Sequence, residues 1–127
     1  MGKIRVIDFD NVTLSSINRH AFALRRDVGK TKVAVLKEYL LQINPELDLD
    51  LRQTFLCKDN MDELLSGNPD MVIDCIDDIT TKVDLNFYCY HKKIQFIMSG
   101  GSGMKADPTK IQFRDISETS CRVILFR

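Results

Sequence analysis

Three of the side chains best suited to chemistry lie in one stretch, Val6 to Lys32: Asp8, Arg19 and Lys32. Asp8 follows a β-rich run, and a carboxylate at the end of a strand can accept hydrogen bonds from both hydroxyls of a ribose. Arginine presents a planar fork and lysine a point charge, so Arg19 and Lys32 together could stabilise the oxygens of a triphosphate and its departing pyrophosphate. A fourth group, Asp77, stands at the end of a second apolar run, Met71 to Ile76. Two plainer readings compete with this chemistry. Asp8 could cap its own turn, and Arg19, Arg25, Arg26, Lys30, Lys32 and Lys37, set against the single acid Asp27, could form a solvated helical face. A ribose-binding acid also normally lies about twenty residues beyond a glycine-rich turn, whereas only seven residues precede Asp8.

The elements that would position these groups alternate between strand and helix, the order of parallel βαβ units. Lys3 to Phe9 reads as a strand closed by the turn Asp10-Asn11. Thr31 is a candidate N-cap for a helix in which Val33, Leu36, Tyr39, Leu40 and Ile43 share one face, until Asn44-Pro45 ends it. Leu47, Leu49 and Leu51 alternate with charged residues, which predicts a strand with one exposed face. Asn60 to Leu65 suits a short helix, and Met71 to Ile76 a strand covered on both faces. Thr80 or Thr81 is expected to cap a helix running through Lys92. Ile94 to Met98 reads as a third buried strand, which leads into the loop Ser99-Gly100-Gly101-Ser102-Gly103, and Lys110 to Ile116 as a further strand. The fold class is α/β, Rossmann-like, with a mostly parallel sheet. Ligands of such open sheets bind at the carboxyl ends of the strands, where Asp8 and Asp77 stand.

Composition sets broad bounds. A chain of 127 residues with 44% hydrophobic residues is the size of one domain. Lysine plus arginine equal aspartate plus glutamate at 18 each, so no global field draws in nucleic acid or an anionic membrane. No apolar stretch approaches the roughly 18 residues of a membrane span, and no signal-peptide segment opens the chain. Cys57, Cys75, Cys89 and Cys121 match neither a zinc pattern nor a disulfide scaffold, which points to a reducing compartment, with Cys75 a buried and inert thiol.

At Asp8-Phe9-Asp10, Leu14 to Arg19, Gly29-x-x-Lys32, Ile43-Asn44-Pro45 and Val72 to Asp77 the chain resembles the ThiF/MoeB family, the adenylating fold of ubiquitin-activating enzymes. Asn18-Arg19-His20, the loop from Ser99 to Lys105, Asp107 to Ile111 and Asp115-Ile116-x-x-Thr119 narrow the resemblance to tRNA threonylcarbamoyladenosine dehydratases of fungal type, over residues 2 to 119. The resemblance implies an enzyme that uses ATP and magnesium (Mg2+) to activate the carboxylate of the threonylcarbamoyl group on a tRNA adenosine. Ring closure then expels the adenylate and leaves the cyclic base. It assigns catalytic roles to Arg19 and Asp77, the ribose to Asp8, the phosphates to Arg19 and Lys32, and magnesium or the reacting phosphate to Asp77. Ser16, where many relatives carry asparagine, and Asn18 complete the nucleotide-binding set. Asp78 also replaces a frequent asparagine, and its charge would repel phosphate unless magnesium or Lys82 offsets it. The implied partners are tRNA carrying threonylcarbamoyladenosine, with Arg25, Arg26, Lys30, Lys105, Lys110 and Arg114 as phosphate contacts, and a second copy in a homodimer. The implied location is the cytoplasm or the mitochondrial outer membrane, without a membrane span in this chain.

Two departures shape the remaining expectations. The family opens with a strand, a glycine-rich loop and a helix whose N-terminus holds phosphate, and Met1-Gly2-Lys3 brings none of these. Residues 1–119 therefore read as a partial ThiF-type adenylation domain with an incomplete sheet, and 120–127 as a divergent C-terminal tail. In the sheet order 3-2-1-4-5-6 the missing strand is central, so the Lys3 and Leu47 strands are expected to part from the Met71 and Ile94 strands. Raw strand edges of that kind predict a weakly folded chain that is inactive alone. Three other readings stay open: a nicotinamide-dependent dehydrogenase using Asp8, a non-catalytic dimerisation remnant, and a MoeB/ThiF-type sulfur-carrier adenylyltransferase, which the lack of paired CxxC motifs disfavours.

Overall fold

Two βαβ-type units make up the molecule, and their strand pairs remain separate sheets. The computed structural model describes residues 2–101 and 107–118. In the first unit β1 (Lys3–Ile7) pairs in parallel with β2 (Asp48–Arg52), with Lys3 opposite Asp48 and Ile7 opposite Arg52, and α1 (Lys32–Ile43) connects them. In the second, β3 (Met71–Asp74) pairs in parallel with β4 (Gln95–Met98) across α3 (Ile79–Lys92). Neither pair hydrogen-bonds to the other, as expected of an incomplete doubly wound sheet. The short helix α2 (Met61–Leu64) lies between the units in sequence.

The principal core joins the two units. Leu56, Met61, Leu64, Leu65, Leu85 and Cys89 are buried together, with Ile7 of β1 and Val72 of β3 packed against them. Arg5 adds a polar tie: its Nε donates to Asp50 at 2.8 Å, and Nη1 donates to the carbonyls of Leu64 and Ser66, both at 2.8 Å. A guanidinium at the end of α2 thus satisfies carbonyls that the helix leaves open. Lys92 and the Tyr88 hydroxyl both reach Asp62 at 3.0 Å, which links α3 to α2.

Local chemistry accounts for the element ends. The Thr31 hydroxyl accepts from the Ala34 amide and Asn44 closes α1, in agreement with the sequence. For α3 the cap is Asp78, two or three residues earlier than Thr80 or Thr81 suggested, because its carboxylate accepts from the Thr81 amide at 2.8 Å. Lys93 ends α3 in the left-handed conformation at φ 56°, with His91 and Lys92 in the last turn, where cations complement the helix dipole.

Several burial expectations are corrected. β3 is not covered on both faces: Val72 and Asp74 point inward, whereas Ile73 is 67% exposed and Met71 is open beside it. β4 is likewise exposed at Gln95 and Phe96. A continuous apolar run reads as two-sided burial, but a two-stranded sheet with one helix layer covers only one side. In α1 the buried residues are Val33 and Val35, and Val35 meets Val12 and Ala23 in a second small core; Tyr39 and Ile43 of the expected stripe are exposed. Cys75 is exposed, not buried. Residues 111–115 form no strand, and Ile111 and Phe113 stand in solvent between two 3-10 turns. The 120–127 tail and Lys105 lie outside the described residues.

Candidate functional site

The carboxyl end of β1 gathers Asp8, Asp10 and Lys32. The Asp8 amide extends the ladder by donating to the Arg52 carbonyl at 3.1 Å. One carboxylate oxygen of Asp8 accepts from the Asp10 amide at 2.8 Å, the local turn that a short acidic side chain favours. The other lies 3.9 Å from Lys32 Nζ, and Asp10 holds the same ammonium at 2.5 Å. Lys32 arrives there because the chain doubles back: the Val12 amide donates to Lys30, the Gly29 amide to Val12, and the Lys32 amide to Asp10, at 2.8, 2.9 and 2.9 Å. Gly29 takes φ +91° where the returning arm meets Val12, a conformation side-chain-bearing residues rarely adopt, which gives the Gly29-x-x-Lys32 spacing a structural reason.

The loop between Val12 and Gly29 is no helical face. It carries two 3-10 turns, Leu14–Ser16 and Arg25–Asp27. The Ser16 hydroxyl is buried and committed to its turn, donating to the Thr13 carbonyl and accepting from the Thr13 amide. It shapes the loop that presents Arg19, whose Nη1 donates to the Ser15 carbonyl at 2.9 Å and lies 3.4 Å from Asn18 Oδ1. Arg19 and Asn18 are both exposed. Asp27 is buried, capped by the Leu24 amide and paired with Lys30 at 2.9 Å; the Lys30 ammonium holds its carboxyl below the usual range. His20 stacks on Phe22 at 5.5 Å with its Nδ1 buried and unpartnered. Burial, then the charges of Lys32 and Arg19, push its pKa down against the pull of Asp8 and Asp10.

The carboxyl end of β3 is built differently. Asp74 is 1% exposed and its carboxylate is filled: one oxygen accepts from the Ile76 amide at 2.9 Å, the other from Lys82 at 2.9 Å and Asn86 at 3.3 Å. Asp77, three residues on, is exposed, and among the described residues it makes no ion pair or side-chain hydrogen bond. Asp78 is spent on capping α3, and that bond holds its carboxyl below the usual range. Lys82 turns to Asp74 and the Ser99 carbonyl, so it does not offset Asp78.

The structure thus brings Asp8 and Lys32 together, sets Asn18 beside Arg19, and leaves Asp77 open at the end of the second strand pair. Sequence reasoning passed over Asp10, Asp74 and Asn86 as functional groups and took Lys82 only as a counter-charge to Asp78. Among the described residues no three His, Cys, Asp or Glu side chains converge on a metal position. A single carboxylate still fits a magnesium ion that keeps several waters and takes the rest of its ligands from phosphate.

Comparison with known proteins gives the family and the fold. The ThiF family profile matches residues 1–126. The chain is 44% identical over 119 residues to tRNA threonylcarbamoyladenosine dehydratase 2 of Saccharomyces cerevisiae, covering 92% of this chain and 27% of that protein. The crystal structure of Escherichia coli tRNA N6-threonylcarbamoyladenosine dehydratase in complex with ATP superposes with a TM-score of 0.90 at 39% identity, covering 94% of this chain and 49% of that one. Molybdopterin-synthase adenylyltransferase of Salmonella typhimurium is 29% identical over 115 residues, covering 91% of this chain and 46% of that protein. The chain therefore spans between about a quarter and a half of the length of these relatives.

Proposed function

Since this chain belongs to the ThiF family, we propose that it carries part of the nucleotide site of an ATP-dependent tRNA threonylcarbamoyladenosine dehydratase, namely its ribose contact and two phosphate-binding cations. The observation that carries the reading is the cluster at the end of β1, where Asp8 and Lys32 lie 3.9 Å apart. Asp8 takes the ribose hydroxyls, and Lys32 and Arg19 take the phosphates, with Asn18 as a supporting donor. Ser16 enters through its turn, which aims Arg19. Asp77 holds magnesium, which supplies charge neutralisation for the triphosphate when bound.

In this reading a carboxylate oxygen of the threonylcarbamoyl group attacks the α-phosphorus, a new C–O–P bond forms, and pyrophosphate leaves on the cations of Arg19 and Lys32. An internal nucleophile of the same group then attacks the activated carbonyl and closes the ring, the acyl C–O bond to phosphate breaks so that AMP departs with that oxygen, and the group releases one proton to water. The cations act by electrostatic stabilisation of charge that develops on the phosphate oxygens. Lys32 enters this step by exchanging Asp10 for phosphate.

The partners follow the same reading. The exposed cations Arg25, Arg26, Lys110 and Arg114 would meet tRNA phosphates. A second copy would cover the outer stripe of α3, where Ile79, Val83, Phe87 and Tyr90 are all exposed on the side opposite the buried Thr81, Leu85 and Cys89. The location implied is the cytoplasm or the mitochondrial outer membrane; no helix among the described residues is long and apolar enough to cross a membrane. The sulfur-carrier reading is favoured only by the lower likeness to the molybdopterin-synthase enzyme.

Calorimetric titration with magnesium-ATP tests the proposal. Saturable binding that Asp8→Ala and Arg19→Ala abolish supports it. No binding by the chain leaves the non-catalytic dimerisation reading, and adenylation of a ubiquitin-fold carrier in preference to tRNA favours the sulfur-carrier one.

A further inference from the structure

We propose that Lys82 is a positioning residue and not a phosphate ligand: it ties the buried Asp74 to the Ser99 carbonyl and so fixes the start of the glycine-rich segment that leaves β4 beside the site. The inference rests on the adenylation reading for the site's identity, and on geometry for the tie itself. Lys82 Nζ donates to Asp74 at 2.9 Å and to the Ser99 carbonyl at 3.0 Å. The Ser99 amide donates to the Asp74 carbonyl at 2.8 Å. The Ser99 amide is therefore anchored to Asp74 directly and its carbonyl through Lys82, at the end of the neighbouring strand.

Charge makes the tie one-directional. Asp74 is closed from solvent, so an ammonium drawn off toward phosphate would leave a carboxylate uncompensated in the interior. Asn86 cannot replace it, since its amide carries no charge and reaches Asp74 only at 3.3 Å. Gly100, which follows Ser99, brings no side chain of its own, so the two backbone bonds of Ser99 are what hold the chain where it leaves β4. That exit lies at the same strand ends as Asp77, where an acceptor carboxylate must meet the nucleotide.

Amide hydrogen exchange and magnesium-ATP calorimetry on this chain, compared among the unaltered protein, Lys82→Met and Lys82→Arg, decide the matter. Lys82→Met is expected to speed exchange at Ser99 by about tenfold beyond any rise at Leu85 and Cys89 in the core, with ATP affinity changed by less than about threefold. Lys82→Arg, which keeps charge and donors, is expected to restore protection. Should Lys82→Met not fold, Lys82→Gln takes its place with the same expected direction. Unaltered exchange at Ser99, a rise no greater than that of the core, or a tenfold loss of ATP affinity with Ser99 still protected overturns the proposal. If the unaltered chain binds no ATP, the adenylation reading fails for it, and the exchange result alone decides whether the tie exists.

Discussion

The ends of β1 and β3 each hold an acid–lysine pair, and the two are built for different purposes. The lysines are covered alike, with Lys32 at 17% and Lys82 at 14% side-chain exposure. Their acids differ: Asp8 and Asp10 are 34% and 45% exposed, and Asp74 is 1% exposed. When a ligand takes Lys32, water can solvate Asp8 and Asp10. When anything takes Lys82, a buried charge is stranded. Whether a cation at a strand end can serve a ligand is thus decided by the exposure of its partner, more than by its own.

The sharpest way to break this contrast is to remove the acids in turn. Asp74→Ala leaves Lys82 without its buried partner and is expected to cost about 3–5 kcal/mol, much of the ~5–15 kcal/mol that a domain of this size has. Asp10→Ala opens a partly solvated pair and is expected to cost less than about 1 kcal/mol. Urea denaturation midpoints compare them, and equal losses would erase the distinction. Next in size is Lys32→Ala. Loss of charge-assisted bonds to phosphate, worth about 1.5–3 kcal/mol, should weaken magnesium-ATP binding by roughly tenfold to a hundredfold in calorimetry while the urea midpoint hardly moves.

The open pair was legible in the sequence and the closed one was not. Asp8 at a strand end and Lys32 three residues beyond Gly29 have spacings set by local backbone, a strand terminus and a positive-φ glycine, and these leave their mark on the chain. Asp74 read as one member of an apolar run because burial of a charge depends on what arrives from elsewhere. A signal existed: Lys82 and Asn86 are four apart on one helix face, directly after the strand that carries the acid. The same limit explains β3 and β4, whose apolar composition gave the strands but not which face is covered. It also explains residues 111–115, where alternating Ile111 and Phe113 imitate a strand that finds no neighbour to pair with. Asp78 and not a threonine caps α3 because its carboxylate reaches the Thr81 amide, whereas in the sequence that acid stood out only as a charge that would repel phosphate.

Smaller effects sharpen the account of the open end. Thr31→Ala removes the hydroxyl that caps α1 one residue before Lys32, and should cost about 1 kcal/mol by urea titration. A larger loss of ATP affinity than of stability would mean that the cap also aims the lysine.

The smallest expected effect is the most specific, because His20 reads the charge of that end without taking part in its ion pairs. Burial lowers its pKa from 6.5, and the charges of Lys32 and then Arg19 lower it further. The folded protein therefore keeps the ring neutral where the unfolded chain has begun to bind a proton. The stability that follows is complete above about pH 6.5 and is lost as pH falls through the folded value. Between pH 7.5 and 5.5, a window above the range in which carboxylates titrate, the urea midpoint of the unaltered chain should fall more than that of His20→Gln. In a proton NMR titration Lys32→Ala should bring the His20 pKa part of the way back toward 6.5, since burial remains. An unmoved His20 would mean that Asp8 and Asp10 already cancel the lysine's field at the ring. The end of β1 would then present no net positive charge to an approaching phosphate until the Asp10 pair opens, and the opening of that pair, not the presence of Lys32, would set the affinity.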